Sequence, residues 1–192
     1  MILRIIPIVL TKLHTQLLKR RRNIEIGKSS IIYHRSQIVN KSKMGGVKIG
    51  CNCTIGRSMK YYHAGMPFYT ALLNDGKESH IIIGNNCRLN GVYIHAQKEI
   101  LIGDNCVLAS GIHVIDSNGH ELYSTNRTVG RDTPKPVVIG NNVWIGLNSI
   151  VLKDTIIGDN SVVAAGSVVK GRFPANSLIQ GNPAVVVKTL EI

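Results

Sequence analysis

Seven histidines and four cysteines carry the most versatile chemistry in this 192-residue chain. A neutral imidazole can take a proton from a weak nucleophile near neutral pH, and three convergent imidazoles can hold zinc. The histidines are His14, His34, His63, His80, His95, His113 and His120. His95 and His113 are 18 residues apart, a spacing that gains meaning only against the periodicity of the chain. Cys51, Cys53, Cys87 and Cys106 form no C-x-x-C pair, and Cys51 and Cys53 are too close for an easy disulfide. Residue types alone leave most of these groups as loop imidazoles, so the elements that position them decide their roles.

Those elements repeat every six residues. Ile139, Ile145, Val151, Ile157, Val163 and Val169 recur without a break, and Gly140, Gly146 and Gly158 follow three of them. Four residues after an aliphatic stands a small or β-branched residue: Val143, Ser149, Thr155, Ser161, Ser167. Ile26, Ile32 and Ile38, then Ile49 and Ile55, Ile83 and Leu89, and Ile102, Leu108 and Val114 extend the pattern toward the N-terminus. A period of six with fixed corners is neither an α-helix nor a hairpin meander. It predicts a short strand, a corner and another strand, with three such units making one 18-residue coil of a triangular prism. Cys53, Cys87 and Cys106 fall on the small corner position and read as core residues, not ligands.

A longer beat supports the coil. The tetrads beginning at Ile83, Ile102, Ile139 and Ile157 all read I-G-(N/D)-N, and start 19, 37 and 18 residues apart. The 37 is read as one coil plus a 19-residue excursion, because the hexads fail between about Asp116 and Val138. That stretch is rich in Ser, Asn, Gly, Thr, Arg and Pro and predicts a projecting loop over about 117–136. A second excursion is expected over Tyr61 to His80. The extra residue between the tetrads at 83 and 102 bears on whether His95 and His113 stack on adjacent coils.

Composition narrows the class. A net charge of +12, 18% charged residues and 44% hydrophobic residues exclude a disordered chain. Aromatic residues make up only 5%, and no aromatic platform accompanies the basic residues, which argues against nucleic acid. The apolar start lacks a basic n-region and a cleavage site, so the expected compartment is the cytosol. Residues 1–22 form a separate element before the coils. Ile2, Ile5, Ile6, Val9, Leu10, Leu13 and Leu17 follow helical spacing, and Lys19-Arg20-Arg21-Arg22 follows. This predicts an amphipathic helix that packs on its own oligomer, caps the first coil of a domain spanning 23–192, or lies on the inner face of a membrane, and the last two are compatible.

The run from Ile139 through Trp144-Ile145-Gly146, Ala164-Ala165-Gly166-Ser167 and Gly181-Asn182-Pro183-Ala184 resembles the C-terminal signature of the hexapeptide-repeat sugar O-acetyltransferases. The likeness is greatest to short capsule, O-antigen and exopolysaccharide acetyltransferases, with the maltose and galactoside acetyltransferases nearby. It covers about 24–188. It implies an all-β fold, a left-handed parallel β-helix with an N-terminal helix and projecting loops. It further implies a homotrimer, acetyl-CoA in a groove between neighbouring coils, a saccharide acceptor and no metal.

The resemblance puts the catalytic histidine on the loop after an I-G-D-N coil, here Ser117-Asn118-Gly119-His120. His120 would take the proton of a sugar hydroxyl as it attacks the thioester, then return it to the departing thiolate, with no acyl-enzyme. Asp116 is a candidate to orient the imidazole. A backbone N–H near Gly146 or Leu147 would meet the oxyanion. The same resemblance assigns Trp144, Gly146, Leu147 and Ala165 to the pantetheine side of the cofactor, Lys170, Arg172 and Lys188 to its phosphates, and Asn90 to the acceptor. The carboxylate that often follows that asparagine is replaced here by Gln97-Lys98. Other readings are an N-acetyltransferase on an amino sugar and a non-catalytic β-helix scaffold. The γ-class carbonic anhydrases share the repeats, but His95, His113 and His120 do not match their zinc spacing.

Overall fold

The structure, a computed structural model, describes residues 2–191, apart from the side chains of residues 2–5 and 61. Helix α1 (Ile2–Lys19) precedes seven coils. The first coil contains β1 (Ile24–Ile26), β2 (Ile31–Ile32) and β3 (Gln37–Asn40), and the second β4 (Gly46–Ile49), β5 (Thr54–Ile55) and β6 (Ala71–Asn74). The third contains β7 (His80–Ile83), β8 (Arg88–Leu89) and β9 (Val92–Ala96), and the fourth β10 (Glu99–Ile102), β11 (Val107–Leu108) and β12 (Ile112–Ile115). The fifth contains β13 (Val137–Ile139), β14 (Trp144–Ile145) and β15 (Ile150–Val151), and the sixth β16 (Ile156–Ile157), β17 (Val162–Val163) and β18 (Val168–Val169). The last has β19 (Arg172–Phe173) and β20 (Ser177–Gly181), closed by β21 (Ala184–Thr189), which turns back antiparallel on β20.

Every third strand shares a face. One sheet runs β1-β4-β7-β10-β13-β16-β19, a second runs from β2 through β14 to β20 and β21, and a third runs from β3 through β12 to β18. All pairings are parallel except that of β20 with β21. This is the left-handed parallel β-helix that the hexads imply. The hexad aliphatics are the core: Ile32, Ile55, Leu89, Leu108, Ile145 and Val163 form one fully buried column.

The corners explain the I-G-(N/D)-N tetrads. The last asparagine of each adopts a left-handed backbone: Asn86, Asn105, Asn142 and Asn160 have φ between 53° and 60°. Asparagine tolerates this region better than most side chains. The third residue ties coil to coil, as Asp104 accepts from the Asn85 N–H (2.6 Å) and Asp159 from the Asn141 N–H (2.7 Å). The glycine is needed for closeness: a Cβ on Gly103 would stand 2.7 Å from the Gly140 carbonyl. Gly103→Ala should therefore destabilise the fold by about 1–3 kcal/mol, read as a lower urea midpoint. An unchanged midpoint would mean the coils can spread at that corner.

The buried small residues satisfy their own polar groups. Ser149, Ser161 and Ser167 donate to the Gly146, Pro174 and Ala164 carbonyls. Cys53, Cys87 and Cys106 occupy the same position and direct their thiols to the Gly84, Gly103 and Gly140 carbonyls. The cysteines are thus a buried column, as their spacing implies.

Two details differ from the sequence expectation. The first irregular stretch ends at β6, so it covers 56–70 instead of 61–80. Leu72 is buried in the third sheet opposite Ile38, a strand contact that its broken hexad concealed. And α1 does cap the first coil, but with the opposite face from its aliphatic stripe. Thr11, Thr15 and Leu18 are buried. Thr15 accepts from the Ile32 N–H (2.9 Å), and Thr11 bonds to His34 (3.1 Å). Of the stripe, Ile6, Val9, Leu10, Leu13 and Leu17 are exposed, while the Ile2 and Ile5 side chains lie outside the described residues.

Candidate functional site

Two features of the prism stand out, and they occupy different corners. The first is an apolar groove of ≈ 590 Å³ beside the second sheet. Trp144, Gly146, Leu147 and Ala165 all line it, so four of the residues assigned to the cofactor come together. Trp144 is 54% exposed, a large apolar surface that a ligand would cover. Its neighbours on the sheet, Val107 and Val162, continue the apolar wall.

The backbone of the groove separates the two oxyanion candidates. The Gly146 N–H is donated to the Val163 carbonyl (2.8 Å) as part of the coil ladder. Gly146 is therefore not a free donor. The Leu147 N–H has no acceptor among the described residues, whereas the Leu147 carbonyl accepts from Gly166 (2.8 Å). A Cβ on Gly146 would also lie 2.6 Å from the Ala165 nitrogen, which shows how closely these two coils approach.

The first excursion lies over this groove. Ser110 donates to the Gly65 carbonyl (2.6 Å), and Met66 sits against Gly91. Tyr62, His63 and Ala64 thereby join Trp144 and Leu147 in the groove wall. By sequence alone His63 is a loop imidazole. Its only signal is a position beside two tyrosines in a loop, which says nothing about where that loop folds.

The second feature is the loop between β12 and β13, which carries His120 on the edge between the third and first sheets. His120 is exposed and makes no hydrogen bond within the chain among the described residues. Asp116 does not orient it. The buried Asp116 carboxylate accepts from the Gln97, Lys98 and Glu99 N–H groups at 2.8, 2.6 and 2.8 Å, which ties the loop base to the preceding coil. Burial pushes this carboxyl above its ordinary value, against the pull of those three donors.

Asp132, which sequence reasoning did not single out, holds the segment before His120. Its carboxylate accepts from the Ser117 hydroxyl (2.5 Å), the Asn118 N–H (2.8 Å) and the Gly119 N–H (3.1 Å). Lys153 from the next coil reaches the same carboxylate at 2.5 Å. Burial raises the Asp132 pKa, but Asn118, Lys153 and Ser117 outweigh it and hold the group at about 2. Immediately beyond His120, Arg127 donates to the Glu121 and Leu122 carbonyls.

The remaining assigned residues scatter. Lys170 and Arg172 lie near Asp154, at the edge shared with the His120 loop and away from the groove. Lys188 is opposite Leu178, which lines the groove end. Asn90 stands just before β9 with a buried side-chain oxygen that has no partner among the described residues. His95 and His113 do not stack: the extra residue puts His113 beside Tyr93 and His95 beside Ile115. His95 instead bonds to Asp75 at 2.9 Å. Among the described residues no group of three His, Cys, Asp or Glu side chains is arranged to hold a metal ion.

Residues 136–171 match the family model described as bacterial transferase hexapeptide (six repeats). The chain is 35% identical to the galactoside O-acetyltransferase of Escherichia coli K12 over 113 residues, covering 58% of this chain and 55% of that one. It is 34% identical to the putative lipopolysaccharide biosynthesis O-acetyl transferase WbbJ of the same organism over 117 residues, covering 56% and 60%. The chain thus matches a little over half the length of these curated relatives. Among solved structures, a point mutant of AntD, an N-acyltransferase from Bacillus cereus in complex with dTDP and coenzyme A, has a TM-score of 0.71 at 20% identity, covering 92% and 89% of the two chains. A galactoside acetyltransferase in complex with coenzyme A has a TM-score of 0.58 at 24% identity, covering 92% and 70%. The structural likenesses bear on the fold, and the resemblance to hexapeptide-repeat proteins of this type is borne out.

Proposed function

From a chain built of the bacterial transferase hexapeptide repeats, we propose an acetyl-CoA-dependent O-acetyltransferase that modifies a hydroxyl of a saccharide, one unit or precursor of a surface polysaccharide. The single observation that carries this reading is the split site. One corner offers an apolar groove with small residues and an unpaired N–H, and another offers an exposed imidazole on a clamped loop. Neither is a complete active site. A homotrimer completes it by setting His120 of one protomer over the groove of its neighbour.

In this arrangement the groove holds the pantetheine arm along Gly146 and Ala165, with Trp144 covering it. The Leu147 N–H meets the oxyanion as the thioester carbonyl becomes tetrahedral. His120 removes the proton from the attacking sugar hydroxyl and delivers it to the departing CoA thiolate, so the acetyl group moves directly and no nucleophilic serine or cysteine is required. Asn90 offers its unpaired amide oxygen to another hydroxyl of the acceptor. Asp116 and Asp132 act through the loop and touch neither substrate. Lys188 is placed at the groove end for the CoA phosphates, while Lys170 and Arg172 can reach a phosphate only across the subunit boundary.

The O-acetyltransferase relatives favour a hydroxyl acceptor, and the N-acyltransferase neighbour keeps an amino sugar as the second reading. The test is thiol release from acetyl-CoA over a panel of saccharides, with the active species sized by sedimentation. Saccharide-dependent release by a trimer is expected. Full activity from a monomer would overturn the shared site, and no release with any sugar would overturn the reaction.

A further inference from the structure

The outward face of α1 is left unexplained by everything above. The helix spends Thr11, His14, Thr15 and Leu18 on the first coil, with His14 bonded to the Ser36 carbonyl at 3.1 Å. Most of its aliphatics point away from that coil: Val9 is 56% exposed, Leu13 54% and Leu17 51%, while Leu18 is buried and the exposed Ile8 lies outside this stripe. At about 100° per residue, Val9, Leu13, Ile6, Leu17 and Leu10 form a continuous stripe about 100° wide, running from the side opposite Leu18 round to the flank beside His14. A helix that only capped the prism would do the reverse, burying its aliphatics and exposing its threonines.

Charge identifies what the stripe faces. Arg4, Lys12, Lys19, Arg20, Arg21 and Arg22 give the first 22 residues six cations and no acid, half of the chain's net +12. The side chains from Lys19 to Arg22 are exposed, and no carboxylate pairs with them among the described residues. Beside the stripe a recess of ≈ 440 Å³ opens between α1 and the strands beneath it, with Arg21, Arg35, His14 and His34 in its wall and no acidic residue. Burial chiefly, with Arg35 and His14 adding to it, lowers the His34 pKa. No helix is long and apolar enough to cross a membrane among the described residues.

We propose that α1 is an interfacial anchor: its aliphatic stripe enters the surface of an anionic bilayer, while Lys19 to Arg22 and the Arg21–Arg35 recess take the phosphates of acidic headgroups. A basic amphipathic helix with one apolar stripe is the form that lies in a membrane interface. A second copy of the chain is the poorer occupant, because two such faces would bring twelve cations together. The inference goes beyond acetyl transfer and does not depend on it. It holds the first-coil end of the prism, where α1 packs on β1 and β2, at a lipid surface.

The experiment is flotation of the full chain with vesicles of equimolar phosphatidylglycerol and phosphatidylcholine, against phosphatidylcholine alone. Binding is expected only to the acidic vesicles. Leu13→Glu with Leu17→Glu should abolish it. Arg20→Gln, Arg21→Gln and Arg22→Gln together should weaken it on the order of 100-fold, at about fivefold per cation. These positions are exposed, so circular dichroism, sedimentation and thiol release with a soluble sugar should be unchanged. Equal flotation of wild type and variants, or equal binding to both vesicles, would overturn the anchor. Dissociation of an oligomer by the Leu13 and Leu17 changes would also overturn it, since the stripe would then be a contact between copies.

Discussion

His120→Ala is expected to lower kcat by about 10²–10⁴-fold and to leave the affinity for acetyl-CoA nearly unchanged. His120 is exposed and does not line the groove wall, so its removal should disturb neither folding nor the wall that holds the pantetheine arm. A sugar hydroxyl is almost wholly protonated near neutral pH, and without a base its attack on the thioester is slow. The natural competitor is His63, which does line the groove. His63→Ala should mainly raise the KM for acetyl-CoA, because its place is in the wall beside Trp144 and Leu147. Near wild-type turnover in the His120 variant, with kcat lost in the His63 variant, would transfer the role of base and remove the need for a neighbouring protomer.

Asp132→Ala should lower kcat on the order of 100-fold, the cost typical of misplacing a reacting group by about 1 Å. The substitution removes the acceptor shared by Ser117, Asn118 and Gly119 and leaves Lys153 with only the Thr133 carbonyl. The KM for acetyl-CoA should not move, since Asp132 is not in the groove. Asp132→Asn should fall between, because its amide oxygen still accepts from the loop. The pH dependence gives a second readout. The folded pKa of Asp132 is depressed from 3.8 to about 2, so its stabilisation is complete above the ordinary value and is lost as pH falls through about 2. Wild type should lose this contribution on acidification and Asp132→Ala should lack it. Equal kcat in both proteins would show that the loop holds His120 without this clamp.

The repeat was legible because each coil states its own rules. A hexad aliphatic is buried, a small residue turns the corner, and the closing asparagine takes the left-handed backbone, as at Asn105 and Asn142. Position within that lattice also brought Trp144, Gly146, Leu147 and Ala165 to one groove. What the lattice does not describe was not legible. The excursion that lays His63 over the groove follows no period, and Asp132 is one of two acids in a polar loop, with a partner, Lys153, that belongs to the next coil. Asp116 shows the opposite error: nearness in sequence to His120 suggested a contact, while the fold turns its carboxylate toward 97–99. Hydrophobic spacing likewise revealed the stripe of α1 but not its direction. That was set by Thr15 and Thr11 finding polar partners at Ile32 and His34.

The most direct test is the product. Incubating the protein with acetyl-CoA and a saccharide acceptor, then analysing the sugar by mass spectrometry before and after mild alkali, reports both the transfer and the bond formed. One acetyl group added to the sugar by wild type, lost in alkali as an ester, and absent with His120→Ala is the predicted result. An acetyl group that survives alkali as an amide, or a sugar that gains none while acetyl-CoA remains intact, would contradict it.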